Sequence, residues 1–206
     1  MPGATIGEIL LETLQTSQPP HTGTAYDEVL REVSARAADQ GSIGKADIGA
    51  LVVWKRSNAT SPWSKNLMNT PDAEVRAVTG RAYSLVNDGT RSIPEAGGEA
   101  RQLLRHVQGL DGGGAIASAV LLAMSPTRMA VWDRRVNKSL KAIDRKPKGR
   151  RHHYRSYLEI IVELVGMMQE ATDDSHTVTP REVDLALFHA AGKAEVLDQL
   201  RRASAA

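Results

Sequence analysis

At 206 residues, with 41% hydrophobic and 24% charged side chains, the chain has the composition of a soluble protein with one well-buried core, or two small lobes sharing an interface. It contains no cysteine, which excludes disulfides, thiolate zinc sites and iron–sulfur clusters, and no apolar run nears the ~18 residues of a membrane span. The formal net charge of +2 excludes a strong global field for nucleic acid, so such affinity would need a local basic patch. No basic segment leading into an apolar stretch opens the chain, so a secretory signal is not expected and the chain reads as cytoplasmic.

Ile6, Ile9, Leu10 and Leu14 recur at helical spacing and predict a helix over 6–14, ending before Gln18-Pro19-Pro20. A second helix is expected over 26–38, with Tyr26, Val29, Leu30 and Val33 on one face. Gly41 and Gly44 separate it from a third over 45–56, which carries Trp54, Lys55 and Arg56 at its end. A short helix over 63–68 follows. Thr70-Pro71-Asp72 reads as an N-cap with proline at the first helical position, opening a helix over 72–86. Another runs over 94–107 and closes near Gly109.

Next come Leu110-Asp111-Gly112-Gly113-Gly114, an apolar helix over 115–124 stopped by Ser125-Pro126, and a basic helix over 133–143. The segment from Arg145 to Arg155 holds six of the 26 Lys and Arg residues. A long amphipathic helix is expected over 154–169. Thr179, with Glu182 three residues on, forms a capping box for a helix over 181–191, packed through Val183, Leu185 and Leu187. Gly192 interrupts it, leaving 194–202 as a frayed continuation. No segment sustains two-residue alternation, so the expected fold is all-α, with roughly nine or ten helices.

The glycine run is by itself an interhelical turn. Gly112 and Gly114 admit positive φ and close backbone approach, and Leu110 anchors the turn in the core. Because Gly114 leads into a helix N-terminus, outward-facing amides and the helix dipole offer a place for a phosphate.

Leu110, Gly112, Gly114, Ala117, Ala119, Leu121, Val131 and Asp133 together resemble the helix–hairpin–helix superfamily of DNA glycosylases. That family carries a Leu-Pro-Gly-Val-Gly type hairpin, an Ala-rich helix, and a short extended stretch ending in Asp at a helix start. Here Asp111 stands where proline is common, and Gly113 replaces the usual β-branched residue. Upstream, residues 50–60 look like the family's early helix, whose polar turn residue fills the gap left by a flipped base; Asn58 matches that position. The resemblance implies a two-lobed, glycosylase-like all-α fold with a helix–hairpin–helix motif, forming one unit over 1–206 with the hairpin-containing lobe over about 45–143. It implies DNA as partner, a monomer, and hydrolysis of the N-glycosidic bond of a modified or damaged base. No cofactor is expected, beyond room for a monovalent cation at the hairpin. Relatives that also cleave the strand carry a Schiff-base lysine two residues past the second hairpin glycine. Ile116 stands there, so a monofunctional hydrolase without lyase activity is expected.

Asp133 is the candidate catalytic carboxylate: it would stabilise the oxocarbenium-like sugar and orient or deprotonate the attacking water. Its bland role is the N-cap of the following helix, and the two roles are compatible. Backbone at Gly112, Gly113 and Gly114, with Lys55, Arg56, Arg150 and Arg151, would contact phosphates. Trp54 and Trp132 would line the base pocket; each is otherwise a core residue. His152-His153 lack a third ligand, so no metal site is expected. Asp173, Asp174 and Asp184 read as surface or capping carboxylates. Two other readings remain: a DNA-binding protein of the same fold without catalysis, and a helical protein-interaction module. The enzymatic reading fails if Asp133 is fully buried and hydrogen-bonded away from any cleft, and stands if a groove has Asp133 at its base, flanked by Trp54 or Trp132.

Overall fold

The computed structural model describes residues 3–17, 25–58, 62–111, 114–149, 153–172 and 175–205. Among them are eleven helices and no strand: α1 (Ile6–Thr16), α2 (Glu28–Gln40), α3 (Lys45–Trp54), α4 (Pro62–Asn69), α5 (Asp72–Val86), α6 (Ile93–Leu104), α7 (Ala115–Met124), α8 (Arg134–Ala142), α9 (His153–Glu170), α10 (Pro180–Ala190) and α11 (Ala194–Ala205). The all-α expectation holds.

The helix α7 lies at the centre. Every residue from Ile116 to Met124 is buried, as an apolar helix without a polar stripe must be. It packs against α2, α3, α5 and α6. A second group forms where α1 lies across α9, α10 and α11, with α8 against α10 and α11, while α6 packs along α9. One contiguous apolar cluster takes residues from all eleven helices, from Ile9 to Leu200.

Capping fixes several starts. Thr5 and Glu8 form a reciprocal box at α1, and Thr179 and Glu182 form the expected one at α10. Thr70 is not the cap of α5. Its hydroxyl donates back to the Asn66 carbonyl (3.1 Å), and Pro71 takes the N-cap position. Two other boundaries move for visible reasons. Helix α6 stops at Leu104 because the chain then tightens into three-residue turns (Val107 N to Leu104 O, 3.1 Å; Leu110 N to Val107 O, 3.0 Å). Val107 and Leu110 remain buried and so imitate a helical stripe. Helix α11 is a full helix rather than a frayed end, since it buries Val196, Leu197 and Leu200.

Gly109 and Gly97 are among the glycines that permit close approaches no other residue would. Gly109, just before Leu110, has φ +90°, and a Cβ there would lie 2.4 Å from the Trp63 carbonyl oxygen. Gly97 on α6 lets α9 come close: an added Cβ would meet Leu158 Cδ1 at 2.2 Å and Tyr154 Cε1 at 3.3 Å. The space Gly97 leaves is thus filled by Leu158, with Tyr154 at its edge.

Candidate active site

Between α7 and α8 residues 130–133 belong to neither helix nor strand, so no regular ladder satisfies their backbone polar groups. Side chains do so instead. Tyr154 donates its hydroxyl to the Ala130 carbonyl (2.7 Å) and Tyr157 to the Val131 carbonyl (2.9 Å). The Val131 amide donates to Asp184 Oδ2 (2.7 Å), and the Trp132 amide to Ser118 Oγ (3.0 Å). Burial pushes both phenols above their ordinary pKa, so they remain protonated donors. An unpaired buried amide or carbonyl would cost about 1–3 kcal/mol, and this clamp removes that cost four times over.

The clamp delivers Asp133 to the start of α8. Its backbone is extended (φ −146°), and Oδ1 accepts from the amides of Arg135 (2.9 Å) and Val136 (3.0 Å), an N-cap made by the carboxylate. Oδ2 accepts from Lys55 Nζ at 3.1 Å. Both side chains of this pair are about 15% exposed (16% for Lys55, 15% for Asp133), so the pair is sheltered yet reachable.

Lys55 is the C-cap of α3. The chain then turns through Arg56, whose φ of 49° is left-handed. Arg56 N donates to Val53 O (2.8 Å) and Ser57 N to Val52 O (3.0 Å), the paired bonds of a Schellman ending. Glycine is the usual residue at that position; an arginine there holds backbone strain of order 1–3 kcal/mol.

These segments border one hollow of about 860 Å³, lined by residues that include Lys55, Arg56, Asn58, Gly114, Trp132 and Asp133. Arg134, Arg135, Asn137 and Phe188 extend its wall. Four cations thus face one carboxylate. Arg135 Cζ lies 4.7 Å from the Phe188 ring centre, and among the described residues neither Arg56 nor Arg134 has an ion-pair partner.

Of the residues singled out in the sequence, Asp133, Lys55, Arg56, Asn58, Gly114 and Trp132 therefore meet, although Asp133 follows Lys55 by 78 positions. Trp54 does not line the hollow. It is 4% exposed, donates Nε1–H to Asp27 Oδ1 (3.0 Å), and lies beneath Lys55 (5.7 Å from the ring centre) and Arg181 (5.4 Å). Gly114 is the N-cap of α7 with φ −78°. The positive φ expected of it is absent; among the described residues of this turn, Gly109 is the left-handed glycine. An added Cβ on Gly114 would meet nothing within 4 Å, so its backbone is open to the hollow. Gly112, Gly113, Arg150, Arg151, His152, Asp173 and Asp174 lie outside the described residues.

The basic segment after α8 is partly committed elsewhere. Arg145 pairs with Glu163 (2.7 Å), and Arg155 with Glu159 (3.4 Å) and Glu95 (3.6 Å).

Asp184 is a correction. It is 2% exposed, accepting from the Val131 amide and from Arg181 Nη1 (2.7 Å), rather than a surface carboxylate. Burial pushes its pKa above the usual carboxylate range, with Arg181 and the Val131 amide opposing that rise. One signal was available: Asp184 shares the face of Val183 and Leu187, both buried, whereas Leu185 is only half-buried. Phe188, Arg134 and Arg135 were also missed as wall residues; nothing in their local pattern sets them apart. Burial lowers the pKa of two half-buried imidazoles here. His153 stacks edge-on against Trp132 (4.5 Å), and His189 has nearby Lys193, Arg181 and Arg135 adding to the effect.

No protein-family model matches this chain, and no curated protein or solved structure matches it either. Among the described residues no group of three His, Cys, Asp or Glu side chains is placed to hold a metal ion, and no helix is long and apolar enough to cross a membrane.

Proposed function

We propose that this chain is a monofunctional DNA glycosylase of the helix–hairpin–helix kind, with the two-lobed arrangement that goes with it, hydrolysing the N-glycosidic bond of a modified or damaged base. The observation that carries the reading is the meeting of Asp133, Lys55, Asn58, Gly114 and Trp132 around one open, cation-rich hollow. Such a wall attracts a phosphate backbone through counterion release. The open backbone of Gly114 at the head of α7 suits a phosphate oxygen. Asn58 stands at the rim, where a side chain could enter the gap left by an extruded base. Asp133 is held by two amides and an ammonium, so it meets the developing cationic sugar without having to reorganise. Ile116 is buried and offers no amine, which fits hydrolysis rather than strand cleavage.

The test is alkali-revealed abasic-site formation on duplexes carrying a panel of altered bases, with wild type and Asp133→Asn side by side. Asparagine caps helices as well as aspartate does, so this variant keeps the fold. Product from wild type and a loss of at least about 100-fold in the variant support the reading. A borohydride-trapped adduct contradicts the monofunctional part of it. One observation favours a second reading, a DNA-binding protein without catalysis: both oxygens of Asp133 already have structural partners. Salt-sensitive DNA binding with no product across the panel is its signature.

A further inference from the structure

Breaking an N-glycosidic bond separates charge. The sugar becomes cationic while the departing base takes the bonding pair, and a carboxylate helps only the first half. The hollow offers the opposite sign for the second half within 3.1 Å of the carboxylate, at Lys55 Nζ. Arg56, Arg134 and Arg135 add further cations to the same wall.

The aromatic surface points the same way. A base that already carries positive charge, such as an N-alkylated purine, is held by open π faces. Here those faces are taken by the protein's own cations. Arg135 and Lys55 lie over the Phe188 ring, 4.7 and 6.0 Å from its centre. Trp132 already makes T-shaped contacts with His153 (4.5 Å) and Tyr157 (5.0 Å).

We infer that the hollow is built for an uncharged, carbonyl-bearing base that leaves as an anion, and that Lys55 donates the hydrogen bond that stabilises it; this rests on the glycosylase reading of the same site. As the C1′–N bond breaks, its electron pair passes to the base nitrogen and spreads onto a carbonyl oxygen, which accepts from the Lys55 ammonium. Water adds to C1′, Asp133 takes one of its protons, and that proton passes through solvent to the base anion, restoring the carboxylate. One water is consumed and no other reactant is needed. Lys55 is then more than the counter-ion of Asp133: it belongs to the leaving group.

The experiment compares single-turnover release of uracil, hypoxanthine and 8-oxoguanine with release of N7-methylguanine from matched duplexes. Wild type is expected to release at least one neutral base, and N7-methylguanine no faster than the uncatalysed background. Lys55→Met should slow neutral-base release about 100-fold, the usual effect of removing one transition-state donor, and Lys55→Arg should restore most of it. A structural defect would slow all bases alike. A lost leaving-group donor instead widens the advantage of 5-fluorouracil over uracil, because the more acidic base needs less help. Release of N7-methylguanine alone overturns the inference and leaves the glycosylase reading standing, as does a Lys55→Met enzyme with wild-type rates. No release of any base overturns both.

Discussion

The buried contact between Asp184 and the Val131 amide can be broken in a graded way. In Asp184→Ala, the Arg181 guanidinium, 17% exposed, loses its acceptor and the Val131 amide is left unpaired. Removing one partner of a buried pair costs about 3–5 kcal/mol, and the orphaned amide lies within that figure. For a chain of this length each kcal/mol moves the thermal midpoint by about 2–4 °C, so a fall of roughly 6–20 °C is expected. Asp184→Asn keeps an acceptor for the amide and loses only the charge, at about 1.5–3 kcal/mol. The double variant Arg181→Met, Asp184→Leu removes both charges and should recover part of the alanine loss. Urea unfolding of all three, followed by circular dichroism, measures the order. If Asp184→Ala lies within about 1 kcal/mol of wild type, or Asp184→Asn is as costly as alanine, the clamp is refuted.

Arg56→Gly relaxes the left-handed turn and should raise stability by about 1 kcal/mol, while lowering the magnitude of the salt-dependence slope of DNA binding by about 1; calorimetry and binding titrations at several salt concentrations read the two effects. Gly109→Ala places a Cβ against the Trp63 carbonyl at a positive φ, and the loss of unfolding free energy in urea should exceed the about 1–2 kcal/mol of the backbone cost alone. Folding depresses the pKa of His153 and His189, so the stability they allow is complete above about 6.5, the ordinary imidazole value, and is lost as pH falls from there through their lowered folded-state values. His189→Gln should flatten that part of a plot of thermal midpoint against pH.

The helices were legible because most of them obey local rules. The Thr179–Glu182 box, the apolar run of α7 and the proline stops are short-range patterns with short-range causes. What misled was periodicity continued by turns: Val107 and Leu110 stay on the buried side after α6 has ended. At the site, Asp133 as a helix cap could be read from its own neighbourhood. Its partner Lys55 could be marked as a cation but not as a contact, since helix packing alone brings the two together. Trp54 shows the converse. Its place beside the basic end of α3 suggested a pocket wall, yet its indole finds Asp27, from a segment with no pattern pointing there.

The segment behind the hollow, which forms its floor at Trp132 and Asp133, has a consequence for motion. Irregular segments normally exchange their amide hydrogens through local fraying. The amides of Val131 and Trp132 instead end on side chains of α10 and α7, so releasing them means pulling apart the packing that holds the whole chain together. Their deuterium uptake should therefore be as slow as that of the slowest helices, despite their lying in a connection. Variation that retunes what this hollow accepts is then free to accumulate at its rim, in residues 55–58 and at Phe188, while the floor stays fixed.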